Sequence, residues 1–312
     1  MFWKRLAVLI AATCALASEE TFREGVAKIN SGDYAGAYDL LFAEWQSCKR
    51  QLGVNAPNTL KVQIHLGQSL TMMGRPHESL DLLVPAVREL TAIVGPDSHD
   101  GIVANAMLAI AMREAGNYAE AEKLLARSAA HPSLPPFDQS NLTAQQALAL
   151  ALMNHKKEAL RAARKAVEIA INGGLENTQH HTHLLVTLGQ IELVAGKLNA
   201  ASATLRQAEA TGLKLMPENH PEWATLYSGL GIVCLYEGKR REGEQYLRRA
   251  LKLAQDTLGP DHQEVAIIMR HLAAALSADR KKEANELNTR STAIFRRASQ
   301  DPVSVWSLKA KD

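Results

Sequence analysis

Residues 257–266 read TLGPDHQEVA. A Gly-Pro turn is followed by Asp261 and His262 side by side and then by Glu264, an arrangement suggestive of an acid–base or metal site. The chain says something similar twice more, as IVGPDSHDGIV around Gly95 and as LMPENHPEWA around Pro217. A reactive site is usually built once, whereas a joint between repeated elements recurs. The stretch therefore reads as a joint. Gly259 and Pro260 stop one helix, Asp261 is placed to cap the next, and Glu264 falls in its first turn, where negative charge is favoured.

Working outward from the joint, a small residue recurs at Gly25, Gly67, Ala109, Ala147, Gly189, Gly231 and Ala273. The steps are 42, 42, 38, 42, 42 and 42 residues. Seven residues after each stands a turn position: Gly32, Gly74, Gly116, Asn154, Gly196, Gly238 and Arg280. Further on, the pattern continues with a second small residue, such as Ala121 or Ala201, and with Leu41, Leu83, Leu125, Ala163, Leu205 and Leu247. This spacing describes two amphipathic helices joined by a tight turn, as in EAGNYAEAEKLL. Gly or Asn accepts the left-handed conformation that ends the first helix. The small residues let the paired helices approach closely, and the leucines fill the seam. One pair cannot bury its own apolar face, so the pairs must stack.

The pattern L-G-x6-G-x4-A-x3-L resembles the tetratricopeptide repeat, with Ala121 to Leu125 and Ala201 to Leu205 matching the family's second-helix motif. The 42-residue unit and the LGPDH and ENHPE joints are similar to the kinesin-light-chain type of that repeat. The resemblance implies an all-α fold, an α-solenoid of about seven helix-turn-helix repeats in a right-handed superhelix. The units fall near 18–59, 60–101, 102–139, 140–181, 182–223, 224–265 and 266–307, leaving a tail at 308–312. The fourth unit is the weakest, and HPSLPPFDQS, 131–140, ahead of it is a place for the solenoid to bend.

The N-terminus reads as an export signal covering 1–17. MFWKR is a short basic start, Leu6 to Ala17 is apolar, and Ala15-Leu16-Ala17 forms a cleavage pattern before Ser18. The apolar run is shorter than the roughly 20 residues of a membrane span, so no transmembrane span is expected in the mature chain. AATC around Cys14 is a poor lipobox. Without Lys4 and Arg5 the chain carries 33 basic and 33 acidic residues, which removes the main support for nucleic-acid binding. Charge is nonetheless polarised, from net −4 over 18–130 to net +4 over 235–312. Aromatics are only 5% of the chain, so the core is expected to be aliphatic and helical. Cys48 and Cys234 lie in distant repeats and are expected as buried thiols outside any disulfide.

Three further features are candidates for function. His180, His181 and His183 in TQHHTH could bind zinc or copper, or could be a polar entry to the fifth unit; no sequence neighbour completes a ligand set, and no metal or other cofactor is expected. Basic clusters mark three turns: His155, Lys156 and Lys157; Lys239, Arg240 and Arg241; Arg280, Lys281 and Lys282. They should line one edge, able to meet an acidic protein, a glycan or an anionic membrane surface. The family resemblance also implies that first helices line a concave groove. Its polar positions would be Gln68, Thr71, Arg113, His183, Gln190, Tyr236 and Arg270, among apolar Ile64, Ile110, Leu148, Val186 and Ile232. No nucleophile triad, P-loop, dinucleotide glycine motif or HExxH occurs. The expectation is an exported, non-catalytic scaffold that binds a protein or peptide in its groove. The alternative is a cell-envelope binder of a metal, glycan or small anion. In the tail, Trp306 follows the helix-breaking Pro302 and is expected to dock on protein.

Overall fold

The computed structural model describes residues 19–276 and 280–300, with side chains through residue 297. The expected signal peptide, most of the turn before Arg280, and the tail with Pro302 and Trp306 lie outside the described residues. Among those described there are fourteen α-helices and no strand. The odd-numbered helices are α1 (19–31), α3 (Pro57–Met72), α5 (His99–Glu114), α7 (Pro136–Leu152), α9 (Gln179–Val194), α11 (Glu222–Tyr236) and α13 (Gln263–Ala275). The even-numbered are α2 (Tyr34–Leu52), α4 (Pro76–Val94), α6 (Tyr118–Ala129), α8 (Lys156–Asn172), α10 (Leu198–Leu215), α12 (Arg240–Leu258) and α14 (Lys281–Gln300).

The chain divides into two compact units, one ending at Glu114 and the other beginning at Ala115. The division falls inside the third repeat, ahead of the Pro-rich 131–140 segment. Within the first unit α2 packs on α3, α3 on α4 and α4 on α5. Within the second, consecutive helices pack from α6 through α14. Odd helices also touch one another, α3 with α5, and α7, α9, α11 and α13 in series, whereas within each unit no described even helix touches another even helix. In each unit the first helices of the repeats therefore form the closer-packed layer and the second helices the more widely spaced one.

The 42-residue period is the spacing of one steric lock. A Cβ placed on Gly67 would stand 2.7 Å from Leu83 Cγ; on Gly189, 2.5 Å from Leu205 Cδ2; on Gly231, 2.6 Å from Leu247 Cγ. The leucine sixteen residues on thus sits directly against the backbone of the first helix. Leu83, Leu205 and Leu247 have no exposed surface, and each such burial contributes about 1.5–3 kcal/mol. In the fourth repeat the matching positions are Ala147 and Ala163, both buried in one apolar cluster, while the third pairs Ala109 with a fully buried Leu125. The turn that follows Ala147 holds Asn154 at φ 62°, where five other repeats use Gly. Asn tolerates this left-handed backbone better than most residues.

The joint of residues 257–266 differs from expectation in its cap. Gly259, at φ 90°, ends α12. The residue immediately before α13 is His262, and its Nδ1 accepts the Glu264 N–H at 3.1 Å. Asp261 stands one position too early to cap, and its carboxylate meets Arg297 at 3.2 Å. The same device recurs 42 residues upstream, where His220 Nδ1 accepts the Glu222 N–H at 3.2 Å. At the matching register Ser98 accepts from the Gly101 N–H at 3.0 Å and Thr178 from the His181 N–H at 3.1 Å. At these four joints a hydroxyl or an imidazole accepts a backbone N–H at the start of the next helix.

Cys48 and Cys234 are both buried and in no disulfide. Burial, with Glu242 beside it, pushes the Cys234 thiol up to about 11. Arg240, expected on an open edge, instead closes a helix end. Its guanidinium donates to the carbonyls of Ala275 at 2.7 Å, Leu276 at 2.7 Å and Ala274 at 3.2 Å, where α13 leaves its last acceptors unpaired.

Candidate partner-binding face

The second unit exposes an apolar row that follows the repeat. Leu152, Val194 and Tyr236 are the last residues of α7, α9 and α11, and they are 54%, 47% and 69% exposed. They stand 42 residues apart on helices that touch in series. One turn earlier lie Leu148, Gln190 and Ile232, each half-buried. The helices beneath the row carry almost no charge: α7, α9 and α11 hold one acidic residue each and no Lys or Arg. Three residues beyond each apolar residue, at the turn, come His155, Lys197 and Lys239. Lys239 shares Glu237 at 2.7 Å, which raises the lysine's pKa and lowers the glutamate's through the hydrogen bond between them.

The seven polar residues expected in the groove separate by exposure. Tyr236 and Arg270 are exposed, and Gln68, His183 and Gln190 are half-buried. Thr71 and Arg113 are buried, which corrects their assignment to a partner-facing surface. Thr71 Oγ1 donates to Ser79 Oγ at 2.8 Å, and Ser79 donates to the Gly67 carbonyl at 2.6 Å, so this hydroxyl seals the α3–α4 contact. The Arg113 guanidinium pairs with Glu114. Gln68 reaches His65 Nδ1 at 3.1 Å, and Arg270 lies 5.9 Å from the Phe295 ring.

The three histidines of TQHHTH point to three different partners. His180 Nε2 is 2.7 Å from Ser140 Oγ, and its ring packs 4.1 Å from that of Phe137. Burial, then the neighbouring His183 and His181, lowers its pKa to about 4. His181 is buried, with Nδ1 accepting the Asn177 N–H at 3.3 Å; burial lowers its pKa against the opposing pull of Glu176. His183 Nδ1 lies 2.9 Å from Glu222 on the next first helix. Burial alone would raise the Glu222 carboxyl, but His183 and His220 hold it below the usual carboxylate range. Among the described residues no three His, Cys, Asp or Glu side chains converge as a metal site. The partners of His180 and His183 lie about one repeat away in sequence, which is why sequence neighbours did not reveal them. His65 against Phe22 and His271 against Ser228 extend the same habit of linking successive first helices.

The basic edge is partly committed as well. Lys156, Lys157, Arg241, Lys281 and Lys282 are exposed. Lys239 and Arg240 are engaged as described, and Arg280 binds Glu244 at 2.6 Å and Glu283 at 2.5 Å. Arg240 and Arg280 are corrected from an open anion-facing surface to intramolecular contacts, with a helix end and two carboxylates, whereas Lys239 pairs with Glu237 and still remains exposed. No described helix is long and apolar enough to cross a membrane.

The tetratricopeptide repeat family profile matches residues 58–131 and 222–297. The unmatched middle contains the Pro-rich segment and the Ala–Ala lock of the fourth repeat. No curated protein matches the chain. A solved structure of a Rap protein complexed with competence and sporulation factor is similar with TM-score 0.66 and 12% identity, over 90% of this chain and 78% of that one. The APC/C hetero-tetramer Cut9–Hcn1 gives 0.64 and 15% over 88% of this chain and 46% of that one. BtubC (BKLC) from P. vanneervenii gives 0.50 and 18% over 73% and 89%. At these identities the likeness is one of fold. A solenoid of this kind supports a role in protein–protein interaction and is typically non-catalytic. The repeat spacing, the paired helices and the family match together make this chain a tetratricopeptide-repeat protein.

Proposed function

We propose that this protein is an exported, non-catalytic scaffold that holds a partner protein or peptide against the first-helix face of its second unit. The observation that carries the reading is the exposed row of Leu152, Val194 and Tyr236. Fully burying a large apolar side chain is worth about 1.5–3 kcal/mol, and an aligned set left in water marks an interaction surface more often than an accident of packing. Tyr236 also has the character of a binding hot spot, with a large apolar body and a polar tip. Export is supported by the basic start, the apolar run and the Ala15–Ala17 pattern ahead of Ser18. The histidine segment gives the metal alternative no support, because its rings already serve the packing.

The test uses the chain from Ser18 onward as bait in an extract of its own cell envelope. The control replaces Leu152, Val194 and Tyr236 with Asp. A partner held by the native protein and lost by the variant supports the reading. A partner that both retain moves the site to the second-helix layer, and the absence of any partner contradicts the scaffold. For export, the expected result is protein outside the cytosol with its N-terminus at Ser18; an intact Met1 in the cytosol would overturn it.

A further inference from the structure

The same face, taken as the binding site proposed above, constrains the shape of what can lie on it. Packed neighbouring helices stand about 8–10 Å apart, so the row advances about 10 Å from Leu152 to Val194 and again to Tyr236. In an α-helix seven residues span about 10.5 Å. A partner helix with apolar residues at every seventh position meets the three in step. A β-strand covers about 10 Å in three residues, but an odd step turns successive side chains to opposite faces, so it cannot present all three. A polyproline helix has a comparable pitch, yet it is recognised in aromatic-lined grooves, and this row has one aromatic and two aliphatic residues. Leu148 and Ile232 widen the band by one helical turn, close to the two-line apolar seam of an amphipathic helix.

Charge sets the other requirement. The band itself is nearly uncharged, while His155, Lys156, Lys197 and Lys239 stand along its turn side. Lys156 and Lys197 are exposed and make no ion pair with any described residue. We infer that the occupant is an amphipathic α-helix of a partner protein, with heptad-spaced apolar residues and an acidic flank that faces these cations.

The experiment measures binding of labelled synthetic peptides to the protein purified from its own cells, by fluorescence anisotropy. One peptide of about three heptads carries Leu at every seventh position with Glu on one flank. The others keep the length but space Leu by five, exchange Glu for Lys, or place apolar residues every third position in a Pro-rich chain. The acidic heptad peptide is expected to bind at least tenfold tighter than the rest. Val194→Asp should remove at least tenfold of that affinity, and Lys197→Glu with Lys239→Glu should shift the preference to the Lys-flanked peptide. Unchanged helical circular dichroism is required of each variant. Equal binding regardless of spacing, tightest binding by the Pro-rich peptide, or indifference to Val194→Asp would each overturn the inference. If the envelope partner still depends on the row while the peptides fail to discriminate, the helical occupant is wrong and the scaffold reading stands.

Discussion

Gly189→Ala sets two physical effects against each other. By helix propensity alone, replacing Gly inside α9 with Ala should stabilise by about 1 kcal/mol. The packing predicts the opposite sign. The new Cβ would stand 2.5 Å from Leu205 Cδ2 and 2.6 Å from Leu205 Cγ. Carbon atoms pack best at about 3.5–4.0 Å, so Leu205 would have to move by roughly 1 Å, and it has no exposed surface into which to move. Overpacking of this kind costs about 1–3 kcal/mol. The strain must exceed the propensity gain, and a net loss of about 1–2 kcal/mol is expected. Leu205→Ala alone should cost about 2–5 kcal/mol. The double variant recreates the Ala–Ala lock seen at Ala147 and Ala163, so it should be more stable than the sum of the two losses by about 1 kcal/mol or more. Urea unfolding of the whole protein, followed by far-ultraviolet circular dichroism, gives the midpoints for the cycle. A rise in midpoint for Gly189→Ala, or strict additivity in the double variant, would refute the steric account of the period.

Acid should weaken the fold before the carboxylates titrate. His65, His180, His181 and His271 all have lowered pKa values, in each case chiefly through burial. The unfolded chain binds protons near pH 6.5 and the folded chain resists them, so the stability present above about 6.5 is lost as pH falls. Urea midpoints at pH 8 and pH 5 should differ in that direction, with a smaller difference in His180→Gln; a midpoint that rises on acidification would contradict this. Arg240→Ala removes the donor to three carbonyls at the end of α13 and should cost about 1 kcal/mol at this partly exposed site, read as faster amide exchange in the last turn of α13; unchanged exchange there would leave the cap without energetic weight. Cys48 and Cys234 should resist a thiol reagent at pH 8 in the native protein and react only in urea, since both are buried. Modification of either without denaturant would contradict their burial.

The architecture was legible because one lock repeats. Gly189 with Leu205 and Gly231 with Leu247 keep the same separation of sixteen residues, and sequence preserves separations well. The face of the lock was less legible. Thr71 and Arg113 occupy groove registers, but register alone does not say whether neighbouring side chains close over a position. The histidine contacts needed the fold, because Ser140 and Glu222 come beside His180 and His183 only when repeats stack. The role of Arg240 was hidden for another reason: its partners are backbone carbonyls, which carry no residue label. The apolar row stood at 42-residue spacing throughout, yet sequence treats an exposed Val194 and a buried Leu205 alike.

The central claim is that a partner lies against the first helices of the second unit. A photo-activated crosslinking amino acid placed at Val194 and at Tyr236, and as a control at Lys165 on the exposed side of α8, tests it in living cells. The account predicts a protein adduct from Val194 and Tyr236 and none from Lys165. Adducts from Lys165 alone, or none from the first-helix positions, would contradict it.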